Sequence, residues 1–264
     1  MMHFHRIAPA LPLHELVQSF WEIEQCYQRP VRERILPKGT VELMFHLGGR
    51  ATRGAALALP RCFLNGFNIQ PMAVDLSDTH HLFGVILQPA AVRALFRAPA
   101  TDFNDQCLDM TLLDAAYGRL WQQLGEASGF AERMTLCGAW LQAHSTGLTP
   151  RERALNRFLS DSRDVDITVS KLSAQLCYSS RQLARQLRAL TGRNTEETLL
   201  FRKYLHALDR VHRSNESLTG IAYASGFSDQ AHFIRTFRAC TGMTPGAYRR
   251  QRSHLAGHLF EDVR

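Results

Sequence analysis

Residues 226–249 constrain the fold most, because their apolar side chains recur at the spacing of an α-helix. Phe233 and Phe237 lie four positions apart and therefore on one helical face, whereas Gln230 and Arg235 point elsewhere. One face of this helix is suited to a hydrophobic core. The other face is free to contact a partner.

The residues before this helix predict a tight turn and a preceding helix. Gly226 accommodates the backbone angles of a tight turn, and Ser228 is a good N-cap residue. Apolar residues at helical spacing end at this glycine: Leu218, Ile221 and Ala222. The segment is thus a predicted helix-turn-helix, a unit that places its second helix in the DNA major groove.

This region closely resembles the signature of the AraC/XylS family of bacterial transcription regulators. The resemblance rests on fifteen residues at fixed offsets: Ile221, Ala222, Gly226, Phe227, Asp229, Gln230, His232, Phe233, Arg235, Phe237, Gly242, Thr244, Pro245, Tyr248 and Arg249. It implies two helix-turn-helix units joined by a long helix, so a first unit is expected upstream. It also implies a variable N-terminal domain, often cupin-like, that commonly dimerises or binds a small molecule.

The expected upstream unit is visible in residues 168–192. Thr168 is a predicted N-cap, Cys177-Tyr178 a turn, and Ser179 or Ser180 the cap of a second helix that Thr191-Gly192 ends. The core-facing residues of that second helix are Leu183, Leu187 and Leu190. Between the units, residues 196–212 carry an apolar stripe at helical period, with Arg202, Lys203 and Arg210 outside it.

Length and charge indicate two domains in the 264 residues. Residues 1–150 carry 12 Lys+Arg against 13 Asp+Glu, whereas residues 151–264 carry 19 against 11, which suits attraction to phosphates. A breaker cluster precedes a capping box at Thr149 and Glu152. The predicted organisation is a β-rich regulatory or dimerisation domain (1–145), a linker (146–150), a double helix-turn-helix domain (151–252) and a C-terminal tail (253–264).

The N-terminal half is expected to be mostly strand in its first hundred residues. Residues 41–47 alternate like a half-buried strand, and Gly48-Gly49 is a predicted turn. Further strands are expected at 63–69 and 81–87, and helices at 11–20, from Pro89, at 109–124 with Leu113 facing inward, and at 130–144. The predicted fold class is therefore α+β: a barrel or sandwich with two following helices, then an all-α domain.

The predicted recognition helices are residues 179–190 and 228–240. The types of side chain in and near them indicate which residues contact DNA bases and which contact phosphates. Arginine pairs bidentately with guanine and glutamine with adenine. The candidates for base reading are Arg181, Gln182, Arg185, Gln230, His232 and Arg235. The candidates for phosphate contact are Ser180, Ser228, Arg238, Arg249 and Arg250.

The remaining expectations concern partners, location and chemistry. The expected partners are double-stranded DNA and a second copy of the chain, with RNA polymerase and a small-molecule effector left open. Without a long apolar run or signal-peptide features, the chain is expected to be cytoplasmic and not to bind membranes. No catalytic residue, cofactor or metal site is expected, because the histidines His46, His80 and His81 lie in strand patterns and the cysteines are scattered singly.

Three alternative functions remain open at this stage. The first is a regulator controlled by a protein partner, and the second is one controlled by oxidation of Cys26 or Cys62. The third is a DNA-repair enzyme fused to a DNA-binding module. The clustered cysteines that such an enzyme needs for zinc are missing from the sequence.

Overall fold

The computed structural model describes residues 2–53, 57–160, 165 and 167–262. Its N-terminal part is built on one antiparallel sheet of nine strands. The strands are β1 (Met2–Ile7), β2 (Val17–Cys26), β3 (Val31–Ile35), β4 (Val41–Arg53), β5 (Leu57–Ala58), β6 (Cys62–Asn65), β7 (Met72–Leu87), β8 (Cys107–Asp109) and β9 (His258–Asp262).

Helices dominate the second half of the chain. They are α1 (Pro89–Phe96), α2 (Ala115–Glu126), α3 (Phe130–His144), α4 (Pro150–Ser160), α5 (Val169–Gln175), α6 (Ser180–Thr191), α7 (Thr195–Arg213), α8 (Leu218–Ala224), α9 (Gln230–Thr241) and α10 (Pro245–Gln251). The predicted α+β class is confirmed: a β-rich N-terminal domain, two helices after it, and a helical domain in which α7 joins two helix-turn-helix units.

The long strand β7 organises the sheet. Strands follow the order β1-β2-β7-β4-β6-β8, and β3 pairs with the first part of β7 while β2 pairs with the second part. Strand β9, from the C-terminal end of the chain, pairs with β3 over five residues. The predicted tail, residues 253–264, thus includes a strand of the N-terminal sheet, although residues 263–264 lie outside the described part.

Strand β4 is buried on both faces rather than on one. Phe45 belongs to the main core, while Met44 packs into a second cluster on the opposite face with Phe63 and Leu82. The prediction of a half-buried strand was wrong because elements cover both sides of the sheet here. Glu42 is tolerated inside because Thr40 donates a hydrogen bond of 2.9 Å to its carboxylate.

Two segments of the N-terminal half differ from their predicted structure. Residues 11–20 contain only a short 3₁₀ turn, Leu13–Glu15, before β2 begins, because Val17 and the following residues pair with β7. Residues 63–69 are strand only as far as Asn65, where pairing with β4 ends. In both places long-range strand pairing decides the structure.

The predicted turn at Gly48-Gly49 is a pair of irregularities inside β4. The strand continues to Arg53, and its register against β7 shifts between His46 and Gly48 and again between Gly48 and Arg50. Gly49 has a φ of 84°, and a Cβ there would lie 1.5 Å from the carbonyl oxygen of Thr79. The glycine therefore permits close approach of two strands rather than a reversal of the chain.

The helix expected at 109–124 starts six residues later, at Ala115. Asp109 caps a 3₁₀ turn over Met110–Leu112, and Asp114 caps α2 by accepting a hydrogen bond from the N–H of Ala116. Leu113 was expected to face inward but is 66% exposed, because it precedes the helix. Helices α1 and α3 begin where the sequence predicts.

Most predicted caps of the C-terminal half are confirmed. Thr149 and Glu152 exchange hydrogen bonds at the start of α4, and Thr168 caps α5. Ser179 caps α6 in a reciprocal capping box with Gln182. At α9 the cap is Asp229 rather than Ser228, because the Asp229 carboxylate accepts the hydrogen bond from the N–H of His232.

Arg202 was expected on the solvent side of the long helix but is 6% exposed. Its guanidinium lies 3.9 Å from the ring centroid of Phe158, over the face of that ring. The buried surface of α7 is therefore wider than its apolar stripe, because Phe158 of α4 packs on the side of α7 where Arg202 lies.

The two helix-turn-helix units do not have cores separate from the N-terminal domain. Leu172, Leu183 and Leu187 of the first unit join the main core of the sheet. The core of the second unit includes Leu36, which follows β3, and Leu259 of β9. The two units thus pack against different parts of the N-terminal domain, the first against the main core and the second against Leu36 and β9.

Candidate nucleic-acid interface

The first unit consists of α5, a short turn and α6. The apolar side of α6 is buried through Leu183, Leu187 and Leu190, which leaves its opposite side facing solvent. Cys177 in the turn has a φ of 53°, a left-handed conformation that reverses the chain between the helices. This geometry presents the N-terminal half of α6 outward.

The three base-reading candidates of α6 lie together on this outward side. Arg181, Gln182 and Arg185 are all exposed. Gln182 also belongs to the helix cap, since its Oε1 accepts hydrogen bonds of 3.0 and 3.1 Å from the N–H and Oγ of Ser179. The cap therefore holds the Gln182 amide in place, with its Nε2 group unused by the cap. Sequence reasoning missed this double role, which the Ser-x-x-Gln spacing could have signalled.

The second unit repeats the arrangement with α8 and α9. Gly226, with a φ of 75°, makes the turn, and Phe233 and Phe237 are fully buried. Their rings lie 5.8 Å apart in a T-shaped contact. Phe233 and Phe237 occupy the places that Leu183 and Leu187 occupy in α6, four residues apart in each helix.

The base-reading candidates of α9 differ in whether their side chains contact other residues of the unit. Arg235 is exposed on the second turn of the helix. The Oε1 of Gln230 accepts a hydrogen bond of 2.7 Å from Thr219, and the His232 ring packs edge-on against Phe227 at 5.3 Å. Two of the three side chains are thus positioned by neighbours within the same unit, while Arg235 extends into solvent.

The phosphate candidates are spread over three elements. Ser180 and Ser228 lie at the starts of α6 and α9, and both are exposed. Arg238 and Arg250 are exposed in the last turns of α9 and α10, while Arg249 is half-buried. The structure therefore places the serines near the exposed sides of α6 and α9 and leaves the arginines at the C-terminal ends of their helices.

One acidic group lies at the start of the second reading helix. The pKa of the Asp229 carboxyl is held below its usual range, chiefly by the hydrogen bond from the backbone N–H of His232. Arg235 adds a favourable charge interaction. The Asp229 carboxylate thus remains ionised, and it is engaged in capping α9.

Comparison with known proteins separates the two halves of the chain. Residues 172–251 match the family described as "Helix-turn-helix domain", and residues 5–109 match a "Domain of unknown function". The HTH-type transcriptional activator RhaS of Pectobacterium atrosepticum is 33% identical over 99 residues, which cover 38% of this chain and 36% of RhaS. Residues 172–251 form a helix-turn-helix domain of the AraC type. The resemblance inferred from the sequence signature is thereby confirmed.

Two solved structures are also similar to this chain. ToxT from Vibrio cholerae has a TM-score of 0.46 at 11% identity and covers 94% of this chain and 98% of its own. The DNA-binding domain of the global transcriptional factor AdpA, solved with a target DNA, has a TM-score of 0.35 at 26% identity, covering 39% of this chain and 92% of its own. The chain spans about a third of the length of the curated RhaS relatives that it matches.

Helix α4, which precedes the AraC-type domain, makes polar contacts with α1 of the N-terminal domain. Arg93 of α1 forms an ion pair with Glu152, and the side-chain carbonyl of Asn156 accepts a hydrogen bond of 2.8 Å from the N–H of Ala90. Burial alone would raise the pKa of Glu152, but the hydrogen bonds from Arg93 and Thr149 hold it below its usual range. These contacts fix α4, and with it the first unit, on the N-terminal domain.

A polar cleft of about 240 Å³ lies beside the first reading helix of the AraC-type domain. We call it the α1–α6 cleft. It is lined by Arg93, Thr149, Arg151, Glu152, Tyr178, Gln182, Arg185 and Gln186. Sequence reasoning missed Arg93 and Arg151 here, because only the packing of α1 and α4 brings them next to α6.

The N-terminal histidines and cysteines are held by packing. The rings of His46 and His80 lie 5.2 Å apart, whereas His81 contacts Glu22 at 2.5 Å. In the described residues, no group of three or more His, Cys, Asp or Glu is arranged to hold a metal ion. Cys62 is buried, and this burial raises its pKa, so its reactive thiolate form is disfavoured, while Cys26 is exposed.

None of the helices in the described ranges combines the length and hydrophobicity needed to cross a bilayer.

Proposed function

We propose that this protein is a sequence-specific DNA-binding transcription regulator that reads two successive major grooves with α6 and α9. One observation carries the proposal: two helix-turn-helix units, joined by the single helix α7, each present a capped second helix with an exposed polar side. In the proposal α7 holds the reading helices about one helical turn of DNA apart, roughly 34 Å.

The reading chemistry follows from the side chains of the two helices. Arg185 and Arg235 are the primary base readers, because an exposed guanidinium can bond bidentately to the O6 and N7 of guanine. Gln182 and Gln230 contribute through Nε2, which can donate a hydrogen bond to the N7 of adenine or of guanine, because their Oε1 atoms already accept intramolecular hydrogen bonds. Arg181 and His232 assist them at the helix starts.

The phosphate contacts position the reading helices on the duplex. We assign them to the exposed Ser180, Ser228, Arg238 and Arg250 and to the half-buried Arg249. These contacts supply affinity for any sequence, while the base readers supply discrimination.

For the N-terminal domain we propose dimerisation, as the family resemblance implies, so that two copies bind two similar DNA sites. A small-molecule effector or a protein partner, RNA polymerase included, would then act on this DNA-bound dimer in the cytoplasm. The proposed activity involves no catalytic chemistry. It is consistent with the transcriptional activator RhaS among the relatives.

The test is a footprint of the full-length protein on genomic DNA fragments, without added ligand and with excess non-specific competitor. Protection of two similar sites, each spanning two successive major grooves, would support the dimeric regulator. Only salt-sensitive binding that ignores sequence would contradict the assignment of the base readers. The double variant Arg185→Ala/Arg235→Ala is the matched control, because it should lose the footprint and keep non-specific binding.

A further inference from the structure

The α1–α6 cleft joins the N-terminal domain to the first reading helix. Its walls come from Arg93 of α1, from Arg151 and Glu152 of α4, and from Gln182 and Arg185 of α6. In this cleft a residue of the N-terminal domain and two proposed base readers line one cavity.

The cleft carries an excess of positive charge. Glu152 is its single acidic residue, and it is 6% exposed. The Glu152 carboxylate accepts hydrogen bonds from the N–H and Oγ1 of Thr149, both 2.8 Å. It also forms an ion pair with the guanidinium of Arg93. The cleft thus contains three arginines and one carboxylate, and both oxygens of that carboxylate are already engaged.

The other two arginines are available at the rim. Arg151 is exposed, and its guanidinium carbon lies 5.3 Å from the ring centroid of Tyr178. Such a contact orients a guanidinium without using its N–H donors. Arg185 is exposed and has no hydrogen-bond or ion-pair partner in the described part of the chain.

The chemistry of this cleft suits a phosphate group. Arginine N–H groups arranged around a small cavity bind phosphate oxygens bidentately, and the Gln186 amide and the Tyr178 hydroxyl add further polar groups. The cleft opens beside Gln182 and Arg185, the residues assigned to base edges. Phosphates border the major groove on both sides, so a basic group next to a base reader is within the region where phosphate contacts position a protein on the duplex.

We infer that the α1–α6 cleft binds a backbone phosphate of the DNA at the first half of the site, through Arg93 and Arg151. The inference rests on the proposed function and deepens it. The N-terminal domain becomes part of the DNA-binding surface, because Arg93 belongs to α1. Arg151 lies outside the helix-turn-helix units, at the start of α4.

The test measures operator and random-sequence binding of the full-length protein as a function of salt concentration. Losing one phosphate contact makes the slope of log K against log salt shallower by about 0.9. We expect the full change for the double variant Arg93→Gln/Arg151→Gln, which leaves the phosphate without either arginine, and a smaller change in the same direction for Arg151→Gln. The affinities for operator and random DNA should fall by the same factor, since a phosphate carries no sequence information.

Matched controls remove the same charge elsewhere. Arg157→Gln changes an exposed arginine on the same helix as Arg151, and Arg119→Gln changes an exposed arginine of the N-terminal domain. Both should keep the slope of the unmodified protein. Arg93→Gln leaves Glu152 without its ion-pair partner, so thermal melting is used to check that the double variant folds. If it does not fold, the comparison rests on Arg151→Gln alone, because Arg151 is exposed.

The results distinguish three outcomes. Unchanged slopes and affinities for Arg151→Gln would overturn the inference while leaving the proposed function intact. Absence of any operator preference in the unmodified protein would refute the proposed function and the inference with it. Calorimetric titration with inorganic phosphate, without DNA, addresses a free phosphate ligand. Tight binding lost in Arg151→Gln, combined with an unchanged DNA salt slope, would assign the cleft to that ligand instead.

Discussion

The guanidinium of Arg34 in β3 donates a hydrogen bond of 2.7 Å to the backbone carbonyl of Thr241, the last residue of α9. This bond joins the N-terminal sheet to the C-terminal end of α9, the second helix of the second helix-turn-helix unit. A cation at that end also interacts favourably with the helix dipole. The position of the second unit is therefore coupled to the sheet through the end of the helix that faces away from the proposed base contacts.

Replacing Arg34 with methionine should destabilise the protein by about 1.5–3 kcal/mol, the usual range for a hydrogen bond that involves a charged group. Urea unfolding of both proteins measures this change. Arg32→Met is the matched control in the same strand, since its ion pair with Asp75 is on the surface and its side chain is 50% exposed. Its loss should cost at most about 1 kcal/mol. Equal effects of the two substitutions would show that the contact with Thr241 contributes nothing.

Arg235→Ala should reduce binding to the operator by about 1–3 kcal/mol while leaving random-sequence binding nearly unchanged, because a base contact provides discrimination. Competition binding assays on both DNAs give the ratio. Arg238→Ala, three residues further along α9, should weaken both by the same factor if it contacts phosphate. A parallel loss on operator and random DNA for Arg235→Ala would remove its role as a base reader.

His80 should make stability depend on pH below neutrality. Burial lowers its pKa to about 4 in the folded protein, against an ordinary value of about 6.5 when unfolded. Between these values the unfolded chain binds more protons, so the free energy of unfolding should fall as pH falls, by up to about 1.4 kcal/mol per pH unit. The stabilisation is complete above about pH 6.5 and is lost as pH approaches about 4.

His80→Gln should flatten this dependence in urea unfolding experiments between about pH 6.5 and 5, a window in which most carboxyl groups do not titrate. His144→Gln, at an exposed position on α3, is the control and should follow the unmodified protein. Parallel curves for all three proteins would show that His80 makes no contribution.

Gly49→Ala should destabilise the sheet by at least ~2 kcal/mol, because a left-handed residue would gain a Cβ that overlaps a backbone oxygen. The relevant distance is 1.5 Å from the Cβ position to the Thr79 oxygen. Gly48→Ala is the neighbouring control, since its Cβ would meet the Cβ of His81 at an ordinary 3.5 Å. Thermal unfolding compares them, and similar melting temperatures would contradict the proposed steric role of Gly49.

The helices of the AraC-type domain were predictable because local interactions specify them. Caps such as Thr168 and Ser179 bond to residues three positions away, and the buried Phe233 and Phe237 recur at helical spacing. The cap of α9 was misplaced by one residue because Ser228 and Asp229 are both good N-caps. The helix predicted at residues 11–20 and the turn predicted at Gly48-Gly49 were wrong because strand pairing overrides local preference.

Helical periodicity and capping residues are enough to predict the two helix-turn-helix units, the long helix between them and the residues on the exposed sides of α6 and α9. Three other features follow from the packing of distant segments: β9 completes the N-terminal sheet, Arg202 is buried, and Arg93 lies beside α6. The two groups of features differ in the range of the interactions that specify them. Local periodicity reports contacts within a few residues, whereas Arg34 and Thr241 are 207 positions apart and meet only when the whole chain packs.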